Sequence, residues 1–391
     1  MKFIIDISPV LINRTGIFHV VFDTCYHLLK NHECRFYAGK TELPDDALDF
    51  KTKEIKIPES RKNEIIKRIF EDIDAAANGS ATCLDIGFDA RLIFFDAIYA
   101  LPHVLSRRHY AYILDLTPAT FPQWHQPHVS EWYKKAYEKM ASSGCHVICI
   151  SESTAMDFRA NYVVNPELVH VVPLYARNLP PVKDADLRTT NDGKYFLFVG
   201  SLEQRKNIIY LLHAFNMTGL ATFGYKLKIV GGKGHGANEI QSVAARCHGV
   251  ELLGYVDDEA LAELYENATA FIYPSLWEGF GMPLVEAMSR SCICIAADSS
   301  AVDEVGGEHV VKIDAASVES IASGMLAVIQ ISPQARDEMK KLSSKAASRF
   351  TLENYLNCIN KLFPSNDKTI PNQTVIVGAT YGVKDQARGD A

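Results

Sequence analysis

Two short segments hold residue types that can stabilise a departing anion and grip hydroxyl groups. In FIYPSLWEGFGMPLVEAM (271–288) a strand is expected to end at Pro274, a loop carries Glu278-Gly279-Phe280-Gly281, and Pro283 sits where a helix begins. Glycines before a helix and proline at its first position suit a tight strand-to-helix turn. The free N–H groups at such a helix start favour an anion. Glu278 falls in the loop and Glu286 about one turn into the helix, so both can reach one ligand. A carboxylate accepts hydrogen bonds from paired hydroxyls such as those of a ribose or a hexose. The competing reading makes EGFG an ordinary turn and gives Glu286 only a favourable place near a helix start.

The second segment is FLFVGSLEQRKNIIYLLHAF (196–215), a strand ending at Gly200 with Arg205-Lys206 at the start of a helix expected over 206–217. Two cations beside a helix N-terminus suit a diphosphate; the alternative is a solvated pair on an exposed turn. IVGGKGHGANEI (229–240) lacks the GxGxxG spacing and reads as a flexible turn after a strand. In the N-terminal half the segments that follow strands are NRTGIF (13–18), LDLTPATFP (114–122) and SESTAMD (151–157). Gly16 allows close backbone approach to a ligand, and Asp115 is either a site residue or a turn cap.

Other chemistries find no residues to carry them. Asp72-Ile73-Asp74 falls in an amphipathic helix and Asp184-Ala185-Asp186 in an irregular stretch, so no metal–nucleotide clamp is expected. His125 and His128 stand in a polar, Pro-rich loop without a partner ligand, which favours a surface reading over zinc. GxSxG is missing, and the nine cysteines lie singly in apolar runs with no CxxC pair. That usage belongs to a reducing compartment.

The elements that position these residues follow from hydrophobic periodicity. Strands are expected at 2–7, 34–39, 91–96, 110–116, 146–151 and 168–173, with helices at 16–29, about 60–76 and 153–161. After an irregular stretch at 174–193 the alternation restarts, with strands at 194–200, 226–232, 250–254, 270–274, 292–297 and 310–314. Helices are expected at 206–217, 237–246, 258–267, 283–290, 316–330, 333–349 and 351–362. Continuous apolar strands alternating with helices predict parallel sheets covered on both faces, an α/β class with two doubly wound, Rossmann-like domains. The division is 1–175, a linker 176–193, 194–350, a terminal helix 351–364 whose return to the N-terminal domain is left open, and a tail 365–391 of open order. Ligands of such sheets bind outside the carboxyl ends of strands, so the cleft between the domains is the place to look.

The length of 391 residues exceeds a single ordinary core, and the net charge of −7 gives no field for nucleic acid. No apolar run reaches the roughly 20 residues of a membrane span, and MKFIIDISPV reads as a first strand and not a signal peptide. A cytoplasmic protein is expected. The basic–apolar helix SRKNEIIKRIF (60–70) is either an ordinary surface helix or a peripheral contact with the inner face of a membrane.

At these residues the chain resembles glycosyltransferase family 4, the retaining nucleotide-sugar enzymes of GT-B fold, and among them bacterial O-antigen and capsule mannosyltransferases. PSLWEGFGMPLVEAM resembles the family's Glu-x7-Glu signature, and LFVGSLEQRKN its diphosphate-binding turn. TGIF, YILDLTPATFP, CISESTAMDF and VHVVP follow in the family's order. The resemblance implies that Arg205 and Lys206 neutralise the leaving nucleoside diphosphate in place of a metal, and that Glu278 contacts the donor sugar. It implies further that Gly16, Ser201, Gly279, Phe280, Gly281, Met282 and Glu286 bind the donor, Glu286 through the ribose. Asp115 and Ser151 would face the acceptor. Leu114 replaces the family's frequent histidine, and Ser201 its frequent arginine. The expected reaction moves a hexosyl unit, with mannose from GDP-mannose first, onto a polysaccharide or lipid-linked saccharide without metal or other cofactor. Rhamnosyl and UDP-sugar donors, or a non-catalytic nucleotide-sugar-binding subunit, are the alternatives. Glu278→Ala is expected to abolish transfer with little loss of stability.

Overall fold

The computed structural model describes residues 1–12, 16–80, 90–182 and 193–364. The first domain is built on strands β1 (Lys2–Asp6), β2 (Glu33–Ala38), β3 (Thr41–Glu42), a small hairpin of β4 (Leu48–Asp49) and β5 (Glu54–Ile55), then β6 (Ala90–Phe94), β7 (Tyr110–Ile113), β8 (His146–Cys149) and β9 (Val169–Val171). Among the described residues its sheet runs β3-β2-β1-β6-β7-β8-β9, parallel except for the β2–β3 pair. The second domain holds β10 (Tyr195–Val199), β11 (Lys226–Val230), β12 (Val250–Gly254), β13 (Ala270–Tyr273), β14 (Cys294–Ala297) and β15 (Val311–Ile313). Its order, β12-β11-β10-β13-β14-β15, is parallel throughout.

The central strands β10, YFLFV, and β13, AFIY, are buried at every position. That explains why they read as unbroken apolar runs: helices cover both faces of the sheet. The strand order reverses between β10 and β13 in the second sheet and between β1 and β6 in the first. Crevices at such reversals are where doubly wound sheets bind ligands. Gly200 to Lys206 follow β10, and Glu278 follows β13, so the two segments richest in chemistry leave neighbouring strands at the reversal.

Three features differ from the sequence-based expectation. A 17-residue helix, Pro127–Ser143, occupies what read as a polar loop. Its Pro127 sits in the first turn, and Ala136, Tyr137 and Met140 are buried at helical spacing. His125 precedes it and His128 lies within it. Short helices Ser8–Ile12 and Ser300–Gly306 were also not expected. Finally, the stretch after β9 is not a loose tether over its described part. Leu174, Tyr175 and Leu179 are buried, and Ala176 N–H donates to the Phe350 carbonyl at 3.0 Å.

The terminal helix Leu352–Leu362 lies on the first domain. Its Tyr355 hydroxyl stands 2.6 Å from Thr24 Oγ1 and 3.0 Å from the Tyr112 hydroxyl, and Phe363 packs edge-on against Phe3 and Tyr110. In helix Glu59–Ala77 the cations Lys62, Lys67 and Arg68 pair with Glu59, Glu71 and Glu64 of the same helix. No helix among the described residues is long and apolar enough to cross a membrane.

Candidate active site

Arg205 and Lys206 do not open a helix. They form a single 3-10 turn, Gln204–Lys206, and the helix Ile208–Thr218 starts only after Asn207, whose φ is +58°. Asparagine tolerates this left-handed conformation, and its side chain locks it by donating to the Pro274 and Ala315 carbonyls at 3.2 and 2.7 Å. The turn is thereby pinned to the end of β13, and Leu276 N–H donates to the Arg205 carbonyl at 2.9 Å. The helix expected from residue 206 therefore begins at Ile208, and the cation pair stands on the turn just before it.

Both cations converge on Glu278. Lys206 Nζ lies 2.5 Å from Oε1 and Arg205 Nη1 2.9 Å from Oε2, while Lys206 Nζ also meets the Tyr273 hydroxyl at 3.0 Å. Glu278 is only 6% exposed. Burial alone would raise its carboxyl, but Lys206 and Arg205 outweigh burial and hold it at about 2. Burial, helped by neighbouring Arg205, pulls the Lys206 ammonium below its ordinary value against the opposing Glu278. Glu203 pairs with the far side of Arg205 at 2.9 Å and is the more solvent-accessible acid. Because Glu278 is buried between two cations, the expectation that it can be removed at little cost to stability is overturned.

Glu286 belongs to helix Met282–Ser289 and is 2% exposed. Arg177, delivered by the stretch after β9, grips it with Nε at 2.5 Å from Oε1 and Nη2 at 3.1 Å from Oε2, and also reaches Asp258 at 3.1 Å. The Tyr265 hydroxyl donates to the same carboxylate at 3.1 Å. Nothing local marks Arg177 in the sequence: it stands in a Pro-rich stretch, and its partner lies 109 positions away.

The cleft enclosed by these residues has a volume of about 860 Å³. It is lined by Gly16, Asp115, Ser201, Arg205, Lys206, Glu278 to Met282 and Glu286, so nearly all the residues expected at the site come together. Gly16 faces Met282 so closely that an added Cβ would lie 2.4 Å from its sulfur. At Gly279 a Cβ would fall 1.7 Å from the Leu114 carbonyl oxygen of the other domain. Only a residue without a side chain lets the two walls meet there. Thr154 Oγ1 donates to the Gly279 carbonyl at 3.1 Å, and the Glu304 carboxylate accepts from the Glu152 and Ser153 N–H groups at 3.1 and 2.9 Å. These contacts hold the domains together beside the signature loop.

Ser151 is the exception. It is fully buried, and its Oγ caps helix Glu152–Asn161 by accepting from Thr154 N–H at 3.0 Å, so it does not face the cleft. Asp115 does both things weighed for it: Oδ1 accepts from Thr117 N–H and Oγ1 at 2.8 and 2.6 Å, and the residue lines the cleft. The glycine-rich segment 229–240 is more than a flexible turn. A Cβ on Gly231, whose φ is +146°, would sit 2.0 Å from the Gly200 carbonyl, and Leu202 N–H donates to the Gly232 carbonyl at 2.9 Å. The close approach shapes the cleft wall, and the glycines at 200 and 231 were its available signal. Asp72 pairs with Lys40 at 2.5 Å, and among the described residues no group of three or more His, Cys, Asp or Glu side chains is arranged to hold a metal ion. The pair Asp184 and Asp186 lies outside the described residues.

Two doubly wound domains facing across a cleft, with a cation pair at the strand reversal of the second, define a protein of GT-B fold. Residues 182–349, the span of the second domain, match the family described as Glycosyl transferases group 1. The chain is 27% identical over 252 residues to O-antigen chain mannosyltransferase B of Escherichia coli, covering 61% of this chain and 65% of that protein. It is also 27% identical over 266 residues to the serotype-specific mannosyltransferase WbdA of Escherichia coli, but spans only 32% of it. Sucrose-phosphate synthase from Thermosynechococcus elongatus shares the fold, with a TM-score of 0.66 at 17% identity over 93% of this chain and 98% of that one. The resemblance read from the motifs thus holds at modest identity.

Proposed function

We propose that the protein is a retaining glycosyltransferase that moves a hexosyl unit, mannose first among the candidates, from a nucleoside diphosphate sugar to a saccharide acceptor. The observation that carries the reading is the buried Arg205–Glu278–Lys206 cluster at the strand reversal of a domain that matches Glycosyl transferases group 1. In such a transfer the bond from the anomeric carbon to the phosphate oxygen breaks as the acceptor oxygen bonds on the same face. The acceptor's proton passes to the departing phosphate oxygen. The chief need is stabilisation of charge on that leaving group, and preorganised cations in a secluded cleft supply it. In this reading Arg205 and Lys206 fill that role, Glu278 held between them is assigned to the sugar hydroxyls, and Glu286 to the ribose. Mannose is favoured by the similarity to mannosyltransferases, and GDP-mannose is the donor to try first. The cation pair does the electrostatic work of a metal, so turnover is expected to survive chelation.

The test is a thermal-shift screen of GDP-, UDP-, dTDP- and CMP-sugars, since binding raises apparent stability by mass action, followed by product analysis by NMR with and without EDTA. A donor-dependent shift, an α product from an α donor and EDTA-insensitive turnover support the proposal. Inversion at the anomeric centre, or turnover undiminished in Arg205→Ala and Lys206→Ala, refutes it.

A further inference from the structure

Helix Gly16–Leu29 of the first domain and helix Met282–Ser289 of the second begin face to face, so close that Gly16 has no room for a Cβ against the Met282 sulfur. Glu286 stands one turn into the second helix and His19 one turn into the first. Both line the donor cleft, on opposite walls. We infer that His19 is a specificity-determining residue that takes one hydroxyl of the donor's ribose diol while Glu286 takes the other, so that the nucleoside is read from both domains at once. The inference rests on the reading of this cleft as a nucleoside diphosphate sugar site with Glu286 at the ribose.

The carboxylate of Glu286 cannot take both hydroxyls as it stands. An ionised carboxylate offers about four acceptor positions, two on each oxygen. Oε2 already accepts from Arg177 Nη2 and from the Tyr265 hydroxyl, both at 3.1 Å, and is filled. Oε1 accepts from Arg177 Nε at 2.5 Å and keeps one position. Arg177 is anchored a third time by Asp258 at 3.1 Å, which holds it in place on Glu286. One open position receives one hydroxyl, and a ribose diol brings two.

His19 has the chemistry that the second hydroxyl needs. Its half-buried ring has no hydrogen-bond partner among the described residues, and Phe18 meets it edge-on at 5.5 Å. Burial first, then the charges of Arg177 and Lys53, pull its value down to about 3, so near pH 7 the ring is neutral and keeps a lone pair. Lys53 is itself engaged by Asp23 at 2.7 Å, and the Tyr175 hydroxyl donates to the same Asp23 at 2.5 Å. The imidazole is thus left to a ligand. Asp258 also lines the cleft, but its side chain is 44% exposed and meets water whether or not a nucleotide is bound. A shielded acceptor left unpaired by the wrong ligand discriminates more strongly than a hydrated one. It follows that a dTDP-sugar, which lacks the 2′-hydroxyl, is a poor donor for this protein.

The test titrates the full chain calorimetrically with GDP and UDP, with the 2′-deoxy and 3′-deoxy forms of each, and with dTDP. For the base it binds, the parent should prefer the ribonucleotide over each deoxy form by about fivefold or more, the worth of one hydrogen bond. In His19→Phe, which keeps the ring's bulk without its lone pair, the preference over one of the two deoxy forms should shrink to about twofold or less, while the other is retained. His19→Gln, which returns an acceptor oxygen, should recover part of the lost preference, and Asp258→Asn should change neither. Both preferences retained in His19→Phe overturn the assignment, as does the selective loss appearing in Asp258→Asn instead. An equal loss against both deoxy forms also overturns it, since that marks a distorted cleft and not a missing hydrogen bond. So does a parent that binds dTDP best or shows no preference for the diol. A parent that binds none of GDP, UDP and dTDP overturns the nucleoside diphosphate sugar reading itself.

Discussion

Replacing Glu278 by glutamine should destabilise the second domain, and the structure gives the size of the effect. The carboxylate is buried, and its two cations hold it at about 2 against an ordinary 4.5. A shift of that size corresponds to roughly 3 kcal/mol at neutral pH, in line with the ~3–5 kcal/mol lost when one partner leaves a buried pair. Lys206 suffers most, because among the described residues it keeps only the Tyr273 hydroxyl as a hydrogen-bond partner, whereas Arg205 retains Glu203. For a domain of this size the midpoint of thermal unfolding should fall by about 6–12 °C. The sign of the pH dependence follows from the lowered value. The contribution is complete above pH 4.5 and disappears as the pH falls toward 2, so the parent should lose stability across that window more steeply than Glu278→Gln. Calorimetry from pH 3 to 7 measures both curves. The double variant Glu278→Gln/Lys206→Met should recover part of the loss, because the orphaned charge is gone. A midpoint within 2 °C of the parent, with parallel acid limbs, would refute the claim that this cluster is a buried, mutually dependent unit.

Three further outcomes are expected. Gly279→Ala should leave nucleoside diphosphate affinity within a few-fold but cut turnover by about 100-fold, because the added methyl meets the Leu114 carbonyl only when the domains close; small-angle scattering should show a larger radius of gyration. Glu203→Gln should tighten nucleoside diphosphate binding by roughly fivefold in calorimetric titration, about 1 kcal/mol, since Glu203 competes with the ligand for Arg205. Arg177→Gln should lower the unfolding midpoint by several degrees and weaken donor binding, since it leaves the Glu286 carboxylate buried with Tyr265 as its remaining partner; unchanged values on both measures would show that Glu286 is satisfied without it.

Most of the sheet scaffold is legible in the sequence because parallel strands buried on both faces produce unbroken apolar runs, as in YFLFV and AFIY. The signature loop is legible for a related reason: its glycines and Pro283 act on the local backbone. The helix Pro127–Ser143 was equally open to reading, with buried residues at helical spacing, but its polar, His-rich start concealed it. Other features are tertiary and leave no local trace. Arg177 meets Glu286 only because the chain doubles back, and the burial of Glu278 depends on residues 72 and 73 positions away. Ser151 shows the opposite failure. Its type and place suit a site, yet the same hydroxyl is what a helix start requires. Asn207 moved the helix start past the cation pair through a backbone conformation that residue type permits but does not dictate.

The polypeptide passes between the domains twice, once after β9 and once before the helix Leu352–Leu362, and the two passages are joined where Ala176 N–H meets the Phe350 carbonyl. A body tethered at one point can swivel in any direction; one tethered by two adjacent strands of chain turns chiefly about the line through them. Opening and closing should therefore follow one arc, which brings Gly279 back to the same carbonyl on each cycle. The terminal helix acts as the second pin of that pivot through Tyr355 and the Phe363 that follows it. Freeing it would leave both cleft walls intact but let them meet out of register.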